Sequence, residues 1–371
     1  MKILSIQPCS LYQNGGAARV LRRLYQGKES QVHSLGIISS PTPIKSGNIK
    51  ETLIPAIPLQ QKWMRWRLRT FVTWLRDNKL AFLTINKIYK TAAKIQYDAI
   101  HIVSHGPFGG AFNNDSLMVD KKIWVSFHDH FSTTGSSFAS TGNLWNKAER
   151  RLVISKELGD EYQKLYGDRE YELITDGVST DEISEPTNID PSKLITIYFA
   201  GLLHIDYYPL FNILADALDS LSKKGYKFKL IMRGTDSVSF LNNRLFETEY
   251  RSNFVSDKEI KQELDSASIL YLPIKFTLPD FYLYSLSTKM IGYLGASGTI
   301  LYHGPADSAA CKLLRNSKAA AICSSLNVND MIEIMTQLVS DKNNYAANAK
   351  QVARTDFNFE VIQHRFWQLN T

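Results

Sequence analysis

Three loops concentrate the residues able to do chemistry. The first is Gln13-Asn14-Gly15-Gly16-Ala17-Ala18-Arg19. Paired glycines let the backbone approach a ligand closely, and a helix starting at once points its free N–H groups at that ligand. The spacing is not GxGxxG, which argues against a dinucleotide site. The second is Ser126-Phe127-His128-Asp129-His130, at the end of a strand. Its residue types suit hydrogen bonding to a polyhydroxylated substrate, with His128 beside a reacting sugar. Structural histidines or a metal site are the alternatives, although neighbours on an extended segment point in alternating directions and zinc usually draws on separated elements. The third is FTLPDFYLYSLSTKMIGYLGASG, residues 276–298, in which an aromatic loop runs into Ser287-Thr288-Lys289 and a helix. Hydroxyls, free N–H groups and a cation in one opening turn suit a phosphate. A capped helix with a solvated lysine is the plainer alternative. Gly292, Gly295, Ala296 and Gly298 would let this helix approach a neighbouring backbone.

These loops need strands and helices to hold them. Apolar, strand-length runs fall at 2–7, 33–39, 99–103, 123–127, 151–154 and 172–174, and again at 194–199, 227–232, 269–273, 299–302 and 319–322. Helical patterns lie between them, at 17–26, 210–224, 257–266 and 288–296. Continuous apolar strands alternating with helices predict parallel sheets covered on both faces. The segment DEISEPTNIDPS, 181–192, lacks apolar periodicity and reads as a linker, after which the alternation restarts. The expectation is α/β: two Rossmann-like, doubly wound parallel-sheet domains facing a central cleft. The first spans 1–184 and the second 185–350. Ligands of such sheets bind outside the carboxyl ends of the strands.

Charge is unevenly spread. Of the net +7, residues 1–125 hold 18 Lys and Arg against 6 Asp and Glu, so the basic half predicts an anionic partner. Within it, QKWMRWRLRTFVTWLRDNK at 61–79 places Trp63, Trp66, Phe71, Trp74 and Leu75 on one face of a helix, with Arg65, Arg69, Arg76 and Lys79 on its flanks and back. Trp beside Arg is the composition of a helix lying on an anionic membrane surface. Packing of those rings on the core is the alternative. No nucleic-acid-binding motif occurs, so nucleic acid is not an expected partner. The longest apolar runs are strand-sized, and the N-terminus reads as a first strand rather than a signal peptide. Three scattered cysteines point to a reducing compartment and to no cysteine metal site. The GxSxG, GxxxxGK[ST] and HExxH motifs are all missing.

Taken in order, these segments resemble the retaining GT-B glycosyltransferases, in particular glycosyltransferase family 4. The resemblance rests on the N-terminal strand with Gly15-Gly16, on His128-Asp129-His130, and on Leu152-Val153-Ile154-Ser155-Lys156-Glu157-Leu158 with Ile174-Thr175-Asp176-Gly177-Val178. It continues through Tyr198-Phe199-Ala200-Gly201 and the helix from Ser287 to Gly298. The stretch from Phe254-Val255 to Leu272-Pro273 is similar to the segment that holds the nucleotide base. The resemblance implies transfer of a sugar from a nucleotide-sugar such as a UDP- or GDP-sugar to a glycan or lipid-linked acceptor, with retention of configuration. It also implies the acceptor side in 1–184, the nucleotide-sugar side in 185–350, and a C-terminal helix at 351–371 that crosses back to the first domain. No metal or other cofactor is implied, and the setting is cytoplasmic, peripheral at the inner face of the membrane. His128 is the implied catalytic residue. Gly15, Gly16, Gly201, Arg233, Phe254, Val255, Ser287, Thr288 and Lys289 are implied on the donor side, and Trp63, Trp66, Trp74, Arg65 and Arg69 on the acceptor or membrane side. Where the family carries a pair of Glu, this chain has Tyr284 and Gly292. Where the family carries Arg and Lys after the first strand of the second domain, it reads Gly201-Leu202-Leu203-His204-Ile205-Asp206-Tyr207. His204, Arg233 and Lys289 are the candidate replacements for those cations. These departures support a second reading, a catalytically silent relative acting as a binding or scaffold subunit.

Overall fold

The computed structural model describes residues 1–13, 15–41, 46–61, 63–108, 118–252, 255–340 and 344–368. It divides into two compact units, Met1–Thr175 with the residues from Gln363 onward, and Asp176–Ile362. The segment 176–184 therefore packs with the second unit. There Val178 donates its N–H to the Phe357 carbonyl and lies against the bare Cα of Gly295.

In the first unit, β1 (Ile3–Gln7), β2 (Val32–Ile38), β3 (Lys50–Pro55), β4 (Ala99–Val103), β5 (Lys122–Phe127), β6 (Arg150–Val153) and β7 (Glu172–Leu173) form one sheet. Its order is β3-β2-β1-β4-β5-β6-β7, and all pairings are parallel. All five residues of β1 and of β4 are buried, as a strand covered on both faces requires. The second sheet contains β8 (Leu194–Ala200), β9 (Lys227–Arg233), β10 (Glu247–Arg251), β11 (Ile269–Pro273), β12 (Thr299–His303) and β13 (Ala320–Cys323). Its order is β10-β9-β8-β11-β12-β13, again wholly parallel. Both are doubly wound sheets of the Rossmann type. The strand order reverses between β1 and β4 in one and between β8 and β11 in the other, and these switch points are where such sheets bind ligands.

Helices cover the sheets with apolar faces. Tyr208–Ser222 buries Leu210, Phe211, Leu214, Leu218 and Leu221 at helical spacing. Asp257–Ser266 starts at a capping box, with Ser256 and Glu259 each satisfying the other's backbone N–H. The helix Phe359–Trp367 ends among first-unit residues. Phe366 sits 5.2 Å from the His101 ring and 5.4 Å from Trp124, and Arg150 donates to its carbonyl at 2.7 Å.

Candidate functional site

Each switch point carries one set of candidate residues. In the first unit, a buried hydrogen-bond network fixes the loop after β1. The Tyr25 hydroxyl bridges Ser5 Oγ at 2.7 Å and His101 Nδ1 at 2.6 Å, and the other nitrogen of His101 meets Ser126 Oγ at 2.7 Å. Ser5 donates to Gln7, and Gln7 to Ser34. Glu51 closes the chain by accepting from Ser34, Ser10 and the Leu11 N–H. A carboxylate on an edge strand thus pins the backbone that leads to Gly15. Gly15 has φ 147°, a conformation that disfavours any side chain, and the helix Gly16–Tyr25 starts directly after it with no side-chain cap for its first N–H groups among the described residues.

Beyond this loop lies a pocket of about 390 Å³ lined by Gly15, Gly16, Arg76, His105, His128 and Asp129 among others. His128 follows β5. Burial, helped by the neighbouring charge of His105, lowers its pKa to about 4, so it is neutral at physiological pH. His105 is also lowered by burial, with Asp129 opposing. A neutral imidazole both donates and accepts, which suits a sugar hydroxyl. His130 lies apart from this pocket, buried against the Phe131 ring at 4.4 Å and bonded to Ser132. No three His, Cys, Asp or Glu converge as a metal-binding set among the described residues.

The basic aromatic segment forms the helix Trp66–Asn78, with Arg65 at its N-cap and Trp63 ahead of it. The rings face outward: Trp63 is 74% exposed, Trp66 71%, Phe71 55% and Trp74 48%. Phe71 and Trp74 stack at 6.2 Å, and Arg65 and Arg69 are exposed beside them. The side of the helix turned to the protein carries Val72 and Arg76. Arg76 therefore differs from the sequence expectation of a solvent-facing flank, because its position four residues after Val72 places it on the buried stripe. Apolar periodicity gave no signal for it.

In the second unit, Gly201 follows β8 at φ 137°, fixed by its N–H donating to the Arg233 carbonyl and by the Thr235 hydroxyl donating to the Gly201 carbonyl. The helix Thr288–Gly295 begins at Ser287, whose side chain makes no capping bond. Tyr293 of that helix accepts the Ala200 N–H, which holds the helix against the end of β8. Lys289 then projects onto the glycine. Its Nζ lies 3.9 Å from the centre of the Phe199 ring and 3.1 Å from where a Cβ of Gly201 would stand. Burial lowers its pKa from 10.5 to about 7.

The other cations near these strand ends are committed. Arg233 is buried and donates to Glu263, which also takes the Tyr198 hydroxyl at 2.7 Å and pairs with Arg251. Lys275 pairs with Asp206 at 3.1 Å, and His204 lies against the same carboxylate. Of these groups, Lys289 is the one to which the described residues give neither a hydrogen-bond acceptor nor a counter-ion; its contact is the Phe199 ring. Gly201, Ser287, Thr288 and Lys289 are thus brought together. Val255 is half-buried just before the cap of the helix Asp257–Ser266, and Phe254 lies outside the described residues. At Gly292 an added Cβ would meet nothing within 4 Å.

Residues 14–182 match the family model of Glycosyltransferase Family 4. Solved structures with the same fold span nearly the whole chain. HepE of Anabaena, crystallised with UDP-glucose, is 15% identical, with a TM-score of 0.67 over 99% of this chain and 98% of that one. A trehalose-6-phosphate protein of E. coli bound with UDP-2-fluoro glucose is 11% identical, with a TM-score of 0.66 over 99% and 98%. The α,α-trehalose-phosphate synthase (UDP-forming) of Burkholderia xenovorans, in complex with glucose-6-phosphate, is 11% identical, with a TM-score of 0.65 over 99% of both chains. No curated protein matches in sequence. The chain is therefore glycosyltransferase-like in sequence over residues 14–182 and has the GT-B fold, with two parallel-sheet Rossmann-like domains.

Proposed function

We propose that the protein transfers a sugar from a nucleoside-diphosphate sugar to a glycan or lipid-linked acceptor, with retention of configuration and without a metal. The observation that carries this is Lys289, which has no acceptor or counter-ion among the described residues and stands over the Phe199 ring at a helix N-terminus, against a side-chain-free turn at the switch point of the second sheet. Breaking the bond between sugar and diphosphate leaves charge on the phosphate oxygens. A cation and free N–H groups already in place stabilise that charge without reorganising. Gly201 leaves room for the Lys289 side chain at the turn, and Ser287 and Thr288 add hydroxyl donors. Gly15 and Gly16 serve the loop at the first switch point, and Val255 and Phe254 the base-side segment. Arg233 acts through its ion pair with Glu263, which fixes the wall of the site. His128 supplies a neutral imidazole to a sugar hydroxyl.

The exposed rings of Trp63, Trp66 and Trp74, with Arg65 and Arg69 between them, support a second part of the reading: this face rests on an anionic membrane at its cytoplasmic side. No helix among the described residues is long and apolar enough to cross a membrane.

A donor screen by thermal shift tests the transferase reading, because a ligand selective for the folded state raises the melting temperature by mass action. Uridine or guanosine diphosphate at millimolar concentration is expected to raise it by several degrees. No shift with any nucleoside diphosphate contradicts the reading.

A further inference from the structure

Arg76 is 7% exposed, yet its guanidinium is only partly satisfied. Nε donates to Asp77 at 2.6 Å and Nη2 at 3.2 Å, while Nη1 is buried with no hydrogen-bond partner among the described residues. A buried donor without an acceptor carries its full desolvation penalty, so such groups call for a ligand or a structural reason. Here Arg76 lines the pocket of about 390 Å³ in the first unit, a volume within the range of small-molecule sites. The start of the helix Gly16–Tyr25, with no side-chain cap among the described residues, lines the same pocket.

We propose that this pocket receives an acceptor bearing a phosphate group, and that Arg76 Nη1 selects for it. The inference rests on the transferase reading and names the acceptor's chemistry. Phosphate fits better than carboxylate. A carboxylate takes two parallel N–H groups of one guanidinium edge, as Asp77 does with Nε and Nη2, whereas this pocket offers donors on two separate elements. A tetrahedral anion can instead take one arm of the guanidinium and the helix-end N–H groups together. Neutral His105 and His128 and the carboxylate of Asp129 are left for the acceptor's hydroxyls. The same helix turns Phe71 and Trp74 outward while Arg76 faces the pocket, so the phosphate has two sources to distinguish: a soluble sugar phosphate or a lipid headgroup.

Calorimetric titration tests this with two pairs of probes, a hexose 6-phosphate against the parent hexose and dihexanoyl phosphatidic acid against dihexanoyl phosphatidylcholine. The expected result is at least tenfold tighter binding of the phosphomonoester in one pair, and that pair identifies the source. Arg76→Lys keeps the buried charge beside Asp77 but has no second arm, so the preference is expected to fall at least fivefold. Arg76→Gln is expected to abolish it. No preference in either pair, or an undiminished preference in Arg76→Lys, overturns the proposal. So does a loss of uridine diphosphate affinity in Arg76→Gln that matches the loss for the phosphomonoester, because Arg76 would then serve the donor. If the preference holds while no nucleoside diphosphate binds, the phosphate site stands and the transferase reading fails.

Discussion

Burial decides the protonation of the histidines at or beneath both switch points. His101, locked between Tyr25 and Ser126, is held at about 3, and His303, between Tyr271 and the Ser325 carbonyl, at about 4. His128 joins them at about 4. In the unfolded chain each returns to the ordinary value near 6.5. Between those values the unfolded state binds more protons than the fold, so stability is lost as pH falls from 6.5 towards 4. Each histidine adds a slope of up to about 1.4 kcal/mol per pH unit. Urea midpoints measured at pH 7.5 and pH 5.0 are expected to drop clearly at the lower pH, and His303→Gln is expected to shrink that drop. Equal midpoints contradict neutral burial of these rings.

At the scale of elements, the helix Trp66–Asn78 serves two environments. Its inward stripe is short, Val72 and Arg76, and its outward face is aromatic and basic. Replacing Trp63, Trp66 and Trp74 by Ser is expected to abolish sedimentation with vesicles containing phosphatidylglycerol and to leave the melting temperature within about 2 °C. Unchanged sedimentation contradicts a membrane role. The central strands were legible in the sequence because buried parallel strands are continuous apolar runs; β4 and β11 have the residues expected of them. The edge strands β3 and β10 were not. Their residues, KETLIP and ETEYR, are polar because an edge strand faces water, and charged pairs such as Lys229 with Glu247 and Glu249 lie along β10. The loop glycines and the Ser287-Thr288-Lys289 turn were visible as local composition. Arg76 was not, because its burial depends on how the helix packs rather than on its neighbours in sequence.

Across the whole molecule, both sheets have a glycine turn and a helix start near the point where strand order reverses. Arg233, Lys275 and His204 are paired with carboxylates, and Lys289 is the cation proposed to meet a diphosphate. At Gly292, where the resemblance leads one to expect a Glu, an added Cβ would meet nothing within 4 Å. The pairing of a lowered lysine pKa with an anionic ligand gives the account its sharpest consequence. Free Lys289 loses its proton as pH rises through about 7, whereas bound diphosphate favours the protonated form. The direct test is the affinity for uridine diphosphate by calorimetry from pH 6.5 to 9, in the wild type and in Lys289→Met. The account predicts wild-type affinity falling with pH above 7, by up to about tenfold per unit, and a weaker, pH-independent affinity in the variant. Equal affinities and parallel profiles in the two proteins would contradict it.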